Sequence, residues 1–250
     1  MDITVLLYVL VGFIAQTIDG ALGMAYGVSS NTFLLSVGIP PAAASASVHM
    51  AEVVTTAVSG ISHWRLGNID WNLVKRLLIP GVIGGVAGAY LLTSIDGNVI
   101  KPYISAYLLI MGIVILVKAF NQKERKGAGE YTARVSALGL VGGFFDSIGG
   151  GGWGPVVTTT LVARGKNPRL TIGSVNFSEF FVTFAESVTF VLTLSFSQYW
   201  QIILGLLIGG AIAAPLAARM TKLLPVKALM IMVGTLIIIL SIRTIYLTLA

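Results

Sequence analysis

Asp146-Ser-Ile-Gly-Gly-Gly-Gly-Trp-Gly154 follows Asp19-Gly-Ala-Leu-Gly-Met-Ala-Tyr-Gly27 at a spacing of 127 residues, and this pair of stretches decides how the chain is read. Each glycine costs a helix about 1 kcal/mol relative to alanine, so the backbone is expected to unwind at both places. The same 127-residue shift aligns Gly12, Thr32, Pro41, Ser47, Glu52 and Thr56 with Gly139, Thr159, Pro168, Ser174, Glu179 and Thr183, among twelve identities in an ungapped window of 48 positions. An apolar composition does not favour polar identities, so they mark a duplication. The halves are 1–120 and 133–250, joined by the charged, glycine-containing loop 121–132.

The 250 residues are 56% hydrophobic and 10% charged, whereas soluble domains carry about 25% charged residues. Apolar runs such as Ala42–Ser62, Leu73–Leu92, Tyr103–Phe120, Trp200–Ala218 and Ala228–Leu247 reach the roughly 20 residues a helix needs to cross a bilayer. The run that begins at residue 3 lacks a basic leader or cleavage signal and is expected to remain as a span. The formal charge of +6 is scattered over short loops, so the expected partner is the lipid bilayer and not nucleic acid. With no cysteine and two histidines, neither a conventional metal site nor a cofactor is expected, and the oligomeric state is left open between monomer and homodimer.

Lys and Arg concentrate in short cytoplasmic loops, which gives the halves a direction. The Ser36–Pro41 turn has no basic residue, while its repeat mate carries Arg164, Lys166 and Arg169. Arg65, Lys75 and Arg76 correspond to an uncharged stretch around Phe196–Gln201. Inverting the halves puts 14 of the 16 basic residues on one side, all but Lys101 and Arg243, with both termini outside. An odd number of crossings per half then requires Ile3–Val37 and Ala133–Arg164 each to leave and return to one side, as full crossings or as a re-entrant hairpin. The expected fold is an all-α polytopic membrane protein with two inverted-topology repeats of about five helical segments each, containing Gly-rich broken helices or hairpins.

Each break is expected to present a helix N-terminus, whose free N–H groups attract anions. The blander role for these glycines is close helix packing. A polar stripe at Ser45, His49, Glu52, Thr56, Ser59 and His63 falls on one helical face, with Asn176, Glu179, Thr183 and Glu186 in register in the second half. Candidate substrate contacts are Gly23, Tyr26, Gly27, Ser29, Asn31, His49, Gly150, Gly151, Gly152, Trp153, Gly154 and Asn176. Candidate proton or ion-coupling groups are Asp19, Glu52, Asp146, Glu179 and Glu186, because ionisable groups inside a span are expensive and face a path or a neighbouring helix. The substrate is expected between the two breaks, against helices starting at Val28 and Pro155. His63, in His-Trp-Arg, reads as an interfacial helix end, and Trp64, Trp71 and Trp200 read as belt residues. The carboxylates and the lack of a central Lys or Arg favour protons or cations, while the helix N-termini favour an anion. An intramembrane hydrolase using Ser147 with His49 lacks a third orienting group.

The Gly-Met-Ala-Tyr-Gly and Gly-Gly-Gly-Trp-Gly-Pro breaks, the Ser-Val-His-Met-Ala-Glu helix and Ser-Gly-Ile-Ser-His-Trp-Arg-Leu-Gly-Asn resemble the TauE/SafE family of sulfite and organosulfonate exporters over nearly the full length. The resemblance implies a secondary transporter of the bacterial inner (cell) membrane that exports sulfite or a C2 or C3 organosulfonate. The alternative is a proton- or cation-coupled transporter of another small solute.

The basic-residue distribution makes a direct prediction in a chain without native cysteines. Cysteines introduced at positions 125 and 166 label from the same, cytoplasmic side; labelling from opposite sides contradicts the inverted arrangement.

Overall fold

The computed structural model describes residues 3–22, 24–120, 133–164, 166–194, 199–220 and 226–249. The described residues form ten α-helices and one π-helical turn, without strands. The first half contains α1 (Ile3–Leu22), α2 (Tyr26–Ser36), α3 (Pro41–Arg65), α4 (Trp71–Ser94) and α5 (Gly97–Phe120). The second contains α6 (Ala133–Gly149), a π-helical turn (Trp153–Thr158) running into α7 (Thr159–Ala163), then α8 (Pro168–Thr193), α9 (Trp200–Met220) and α10 (Val226–Leu249). The expected five segments per half are present. Linker 121–132 and residues 195–198 of the uncharged turn lie outside the described residues.

Among the described residues, four helices are long and apolar enough to cross a membrane, at Trp71–Ser94, Gly97–Phe120, Arg169–Thr193 and Met230–Leu249. The chain is an all-α, multi-pass membrane protein embedded in a lipid bilayer. Large apolar side chains such as Ile83, Leu192 and Ile239 cover its outer surface, as a lipid-facing surface requires. Trp64, Trp71 and Trp200 are exposed.

Local chemistry sets the helix ends. Pro41 and Pro168 occupy the first turns of α3 and α8, where the missing N–H costs nothing. Asp70 caps α4 by accepting from the N–H groups of Asn72 at 2.9 Å and Leu73 at 3.3 Å. The chain leaves α3 through Gly67 at φ +66°, the left-handed conformation glycine tolerates. At 11 residues, α2 extends only about 16 Å, roughly half the hydrocarbon layer. The π-helical turn and α7 are equally short, so each opening segment is a longer helix followed by a half-length return.

Glycines let the halves interlock. The Gly12 backbone lies against Leu206 of α9, and Gly84 and Gly88 of α4 lie against Leu140 and Phe144 of α6. These contacts are repeat mates: α1 packs on α9 as α6 packs on α4, and α3 touches α9 as α8 touches α4. Residue numbers rise on α3 as they fall on α8, with His49 beside Glu186 and Ser59 beside Asn176. The mates α5 and α10 also cross in opposite senses, with Gly112 beside Gly234 and Lys227 over the Phe120 ring. At one end Arg169 bonds Asn68 and the Leu66 carbonyl. At the other, Arg243 donates to the Ser36 carbonyl at 2.6 Å, beside Lys101.

The close α4–α6 contact sets a stability test. A Cβ at Gly84 would overlap the Leu140 carbonyl, so Gly84→Val lowers stability by about 1–3 kcal/mol, as overpacking does. Ile83→Val, at a 57% exposed position, stays within about 0.5 kcal/mol. Thermal unfolding in detergent checks the difference.

Candidate functional site

Each break is bridged by its own aspartate. Between α1 and α2, Ala25 adopts φ 103° and the Asp19 carboxylate accepts from the Tyr26 N–H at 3.3 Å. Between α6 and the π-helical turn, Gly150 and Gly151 adopt φ +64° and +148°, and Asp146 accepts from the N–H groups of Gly152 at 2.5 Å and Trp153 at 2.8 Å. Positive φ at the glycines carries little cost, because no Cβ meets the following carbonyl. Asp19 is the repeat mate of Asp146, and Tyr26 of Trp153. A carboxylate at a helix N-terminus satisfies orphan N–H groups and answers the positive end of the helix dipole. The sequence reading treated those N–H groups as free for a ligand; the chain's own aspartates take the first of them.

The breaks also touch each other. A Cβ on Gly27 would lie 2.7 Å from the Gly151 Cα, and one on Gly151 would run into the backbone of Gly27 and Val28. Asn31 Nδ2 donates to the Gly149 carbonyl at 2.5 Å, tying α2 to the second break.

Beside this crossing lies a cavity of about 350 Å³, near the lower end of the roughly 300–1,000 Å³ typical of small-molecule sites. Its floor takes Asp19, Gly27 and Val28 from the first half, and their mates Asp146, Gly154 and Pro155 from the second. The mates Glu52 and Glu179 also line it, on α3 and α8. Thr56, Ser59, His63 and Asn176 continue the polar lining along one side, and no Lys or Arg lines it among the described residues. Asn176 Nδ2 donates to the Ser59 hydroxyl at 3.1 Å.

Of the expected substrate contacts, Tyr26, Gly27, Gly151, Gly152, Gly154 and Asn176 line the cavity. Gly23 lies outside the described residues. Ser29, Asn31, His49, Gly150 and Trp153 lie away from the lining. Trp153 is fully buried, with its indole N–H donating to the Val175 carbonyl at 3.1 Å, and Asn31 packs against Gly150. His49 is sealed in the interior: Nδ1 lies 2.7 Å from the Ser45 carbonyl, and Nε2 lies 2.8 Å from Glu186 and 3.7 Å from Asp146. Of the expected coupling groups, Asp19, Glu52, Asp146 and Glu179 reach the cavity and Glu186 does not. His63 does line it, although His-Trp-Arg reads as a helix end. Its place on the stripe, one turn after Ser59, was the signal. Gln16 was missed; it precedes Asp19 by three residues and so shares its helical face.

His49, Asp146 and Glu186 offer donor atoms within 4.8 Å of one another, the set among the described residues with which a cation could be held. Yet the 2.8 Å contact between His49 and Glu186 is already the length of a charge-assisted hydrogen bond. The trio therefore holds together without an ion. Ser147 forms no nucleophile–base pair with His49; its hydroxyl donates to the Gly143 and Phe144 carbonyls.

Comparison with known proteins places this architecture. The family profile described as Sulfite exporter TauE/SafE matches residues 8–244. Probable membrane transporter protein YtnM of Bacillus subtilis (strain 168) is 43% identical over 245 residues, which cover 96% of this chain and 82% of that protein. Probable membrane transporter protein YdhB of the same organism is 25% identical over 228 residues, covering 88% of each. No solved structure matches the chain.

The aspartate bridges set a second stability test. Asp146→Ala orphans two buried N–H groups at about 1–3 kcal/mol each, so the variant is about 2–6 kcal/mol less stable. Asp146→Asn loses less, because the amide oxygen still accepts. Equal losses in thermal unfolding would assign the effect to charge instead of the two bonds.

Proposed function

The chain belongs to the TauE/SafE sulfite exporter family, and from that premise we propose that it exports a small sulfur oxyanion, sulfite or a C2 or C3 organosulfonate, with Glu52 and Glu179 carrying protons. It is a membrane transporter and not an enzyme. The observation that carries the finer reading is the cavity: floored by matching residues of both halves, lined by Glu52 and Glu179, and without Lys or Arg among its described lining.

An anion about 5 Å from an ionised carboxylate is repelled by roughly 3 kcal/mol at an effective dielectric constant near 20. Protonation removes that repulsion and turns the carboxyl into a hydrogen-bond donor. Anion and proton therefore bind cooperatively, each raising the affinity of the other by the same factor. The remaining donors are neutral: the second Asn176 amide hydrogen, the Ser59 hydroxyl, His63 and the start of α2. Asn31, Ser29 and His49 stand behind the site as supports.

In this proposal the halves are inverted repeats in the bacterial cell membrane, with both termini outside. Support comes from the opposite senses of α3 and α8 and of α5 and α10, and from Arg169 and Arg243 lying at opposite ends. The cavity lining passes from buried Glu52 and Thr56 to partly exposed Ser59 and His63, which marks its mouth, and in this arrangement the mouth faces the cytoplasm, where an exporter loads. The four carboxylates of the cavity also suit a second reading, a proton- or cation-coupled carrier of another small solute.

The test is binding of a C2 organosulfonate, ionised throughout, to purified protein across pH. Wild type gains affinity as pH falls, by up to about tenfold per unit for one linked proton. The double variant Glu52→Gln, Glu179→Gln binds with a nearly flat pH profile. A flat wild-type profile, or an unchanged slope in the double variant, removes the proton-carrier role, and binding of divalent cations instead of the sulfonate favours the second reading.

A further inference from the structure

The cavity floor obeys the repeat and its walls do not. Asp19 pairs with Asp146, Gly27 with Gly154, Val28 with Pro155 and Glu52 with Glu179, and all eight line the cavity. Along the route to the mouth the lining residues are Thr56, Ser59, His63 and Asn176. Their mates, 127 residues away, are Thr183, Glu186, Phe190 and His49. None of those mates touches the cavity, and each is 0% exposed.

The difference extends to the contacts. Ser59 and Asn176 form a neutral hydrogen bond beside the open route. Their mates Glu186 and His49 lie in contact at 2.8 Å in the interior, with Asp146 beside the imidazole at 3.7 Å and the Phe190 ring 5.9 Å from it. Thr183 Oγ1, Glu186 Oε1 and one Asp146 oxygen lie buried without a conventional hydrogen-bond partner. Polar groups at a permanently dry packing surface are costly, so a file of them leading from the floor towards the other end of the protein calls for a function.

We infer that Thr183, Glu186, Phe190 and His49 form the second access route to the floor, held shut here by the His49–Glu186 pair and the Phe190 ring. The inference rests on the transporter reading but not on any substrate. Two halves of one fold in two conformations can exchange them, because the exchanged arrangement makes nearly the same set of contacts. The shared floor is kept, the Ser59 side closes and the Glu186 side opens. Residue order along α8 places this route at the end marked by Ser36 and Arg243, opposite the mouth at His63. Opening hydrates polar groups that are fully desolvated here, which offsets part of the packing lost around Phe190.

Cysteine accessibility in proteoliposomes of known orientation tests this without a transported solute. A membrane-impermeant thiosulfonate is used in the absence of sulfite, which consumes the reagent. Thr56→Cys reacts from the Arg169 face only. Thr183→Cys, a near-isosteric change, reacts slowly and from the Ser36 face only, and so does Phe190→Cys. Adding Glu186→Gln to Thr183→Cys raises the Ser36-face rate about tenfold by weakening the closed pair. Thermal unfolding confirms that each variant is folded, and Thr183→Cys carries the test if the larger changes do not fold. Reaction of Thr183→Cys from the Arg169 face, or from neither face, overturns the assignment. Failure of sulfonate binding with this labelling pattern intact would remove the substrate reading and leave the route standing.

Discussion

A helix that begins inside a membrane must find acceptors for its first N–H groups, and this chain supplies them from its own preceding helix. Asp146 reaches back across the four-glycine break to the N–H groups of Gly152 and Trp153, as Asp19 reaches to Tyr26. Those bonds allow the chain to reverse direction at the centre of the protein. Without them the half-length returns at α2 and α7 would expose buried N–H groups to an apolar surrounding, at several kcal/mol. Because the caps are carboxylates, the same constraint brings negative charge to the floor of the cavity.

That charge shapes what the cavity can accept. Glu52 and Glu179 add to the two aspartates, and no described Lys or Arg balances them in the lining. Under the proposed coupling an anion enters such a place together with protons, which would reconcile family membership with the local electrostatics. Glycine has a second role here beyond flexibility: Gly27 meets Gly150 and Gly151 with no room for a side chain. The breaks therefore brace one another, and the cavity lies alongside their crossing.

Much of this was legible in the sequence because it is periodic. The 127-residue repeat predicted matching helices, the steps of three and four placed Glu52, Thr56, Ser59 and His63 on one face, and Pro41 and Pro168 marked equivalent helix starts. The contacts between distant segments were not legible. His49 and Glu186 share a helical pattern within their own halves, but nothing local states that they meet across 137 residues while their mates Asn176 and Ser59 stay beside open space. The aspartate caps were half visible: the spacing of Asp19 to Tyr26 and Asp146 to Trp153 repeats, yet the turn geometry that joins them depends on the left-handed residues between.

In the proposed function the anion rests on the shared floor beside the breaks. Selenite presents the same pyramidal oxyanion as sulfite with an anomalous scatterer at its centre, so diffraction from crystals soaked at low pH locates it directly. The account predicts a selenium peak in the cavity above Gly27–Val28 and Gly154–Pro155, within reach of Glu52 and Glu179. A peak confined to a loop surface, with the cavity unoccupied at the same pH, would contradict it.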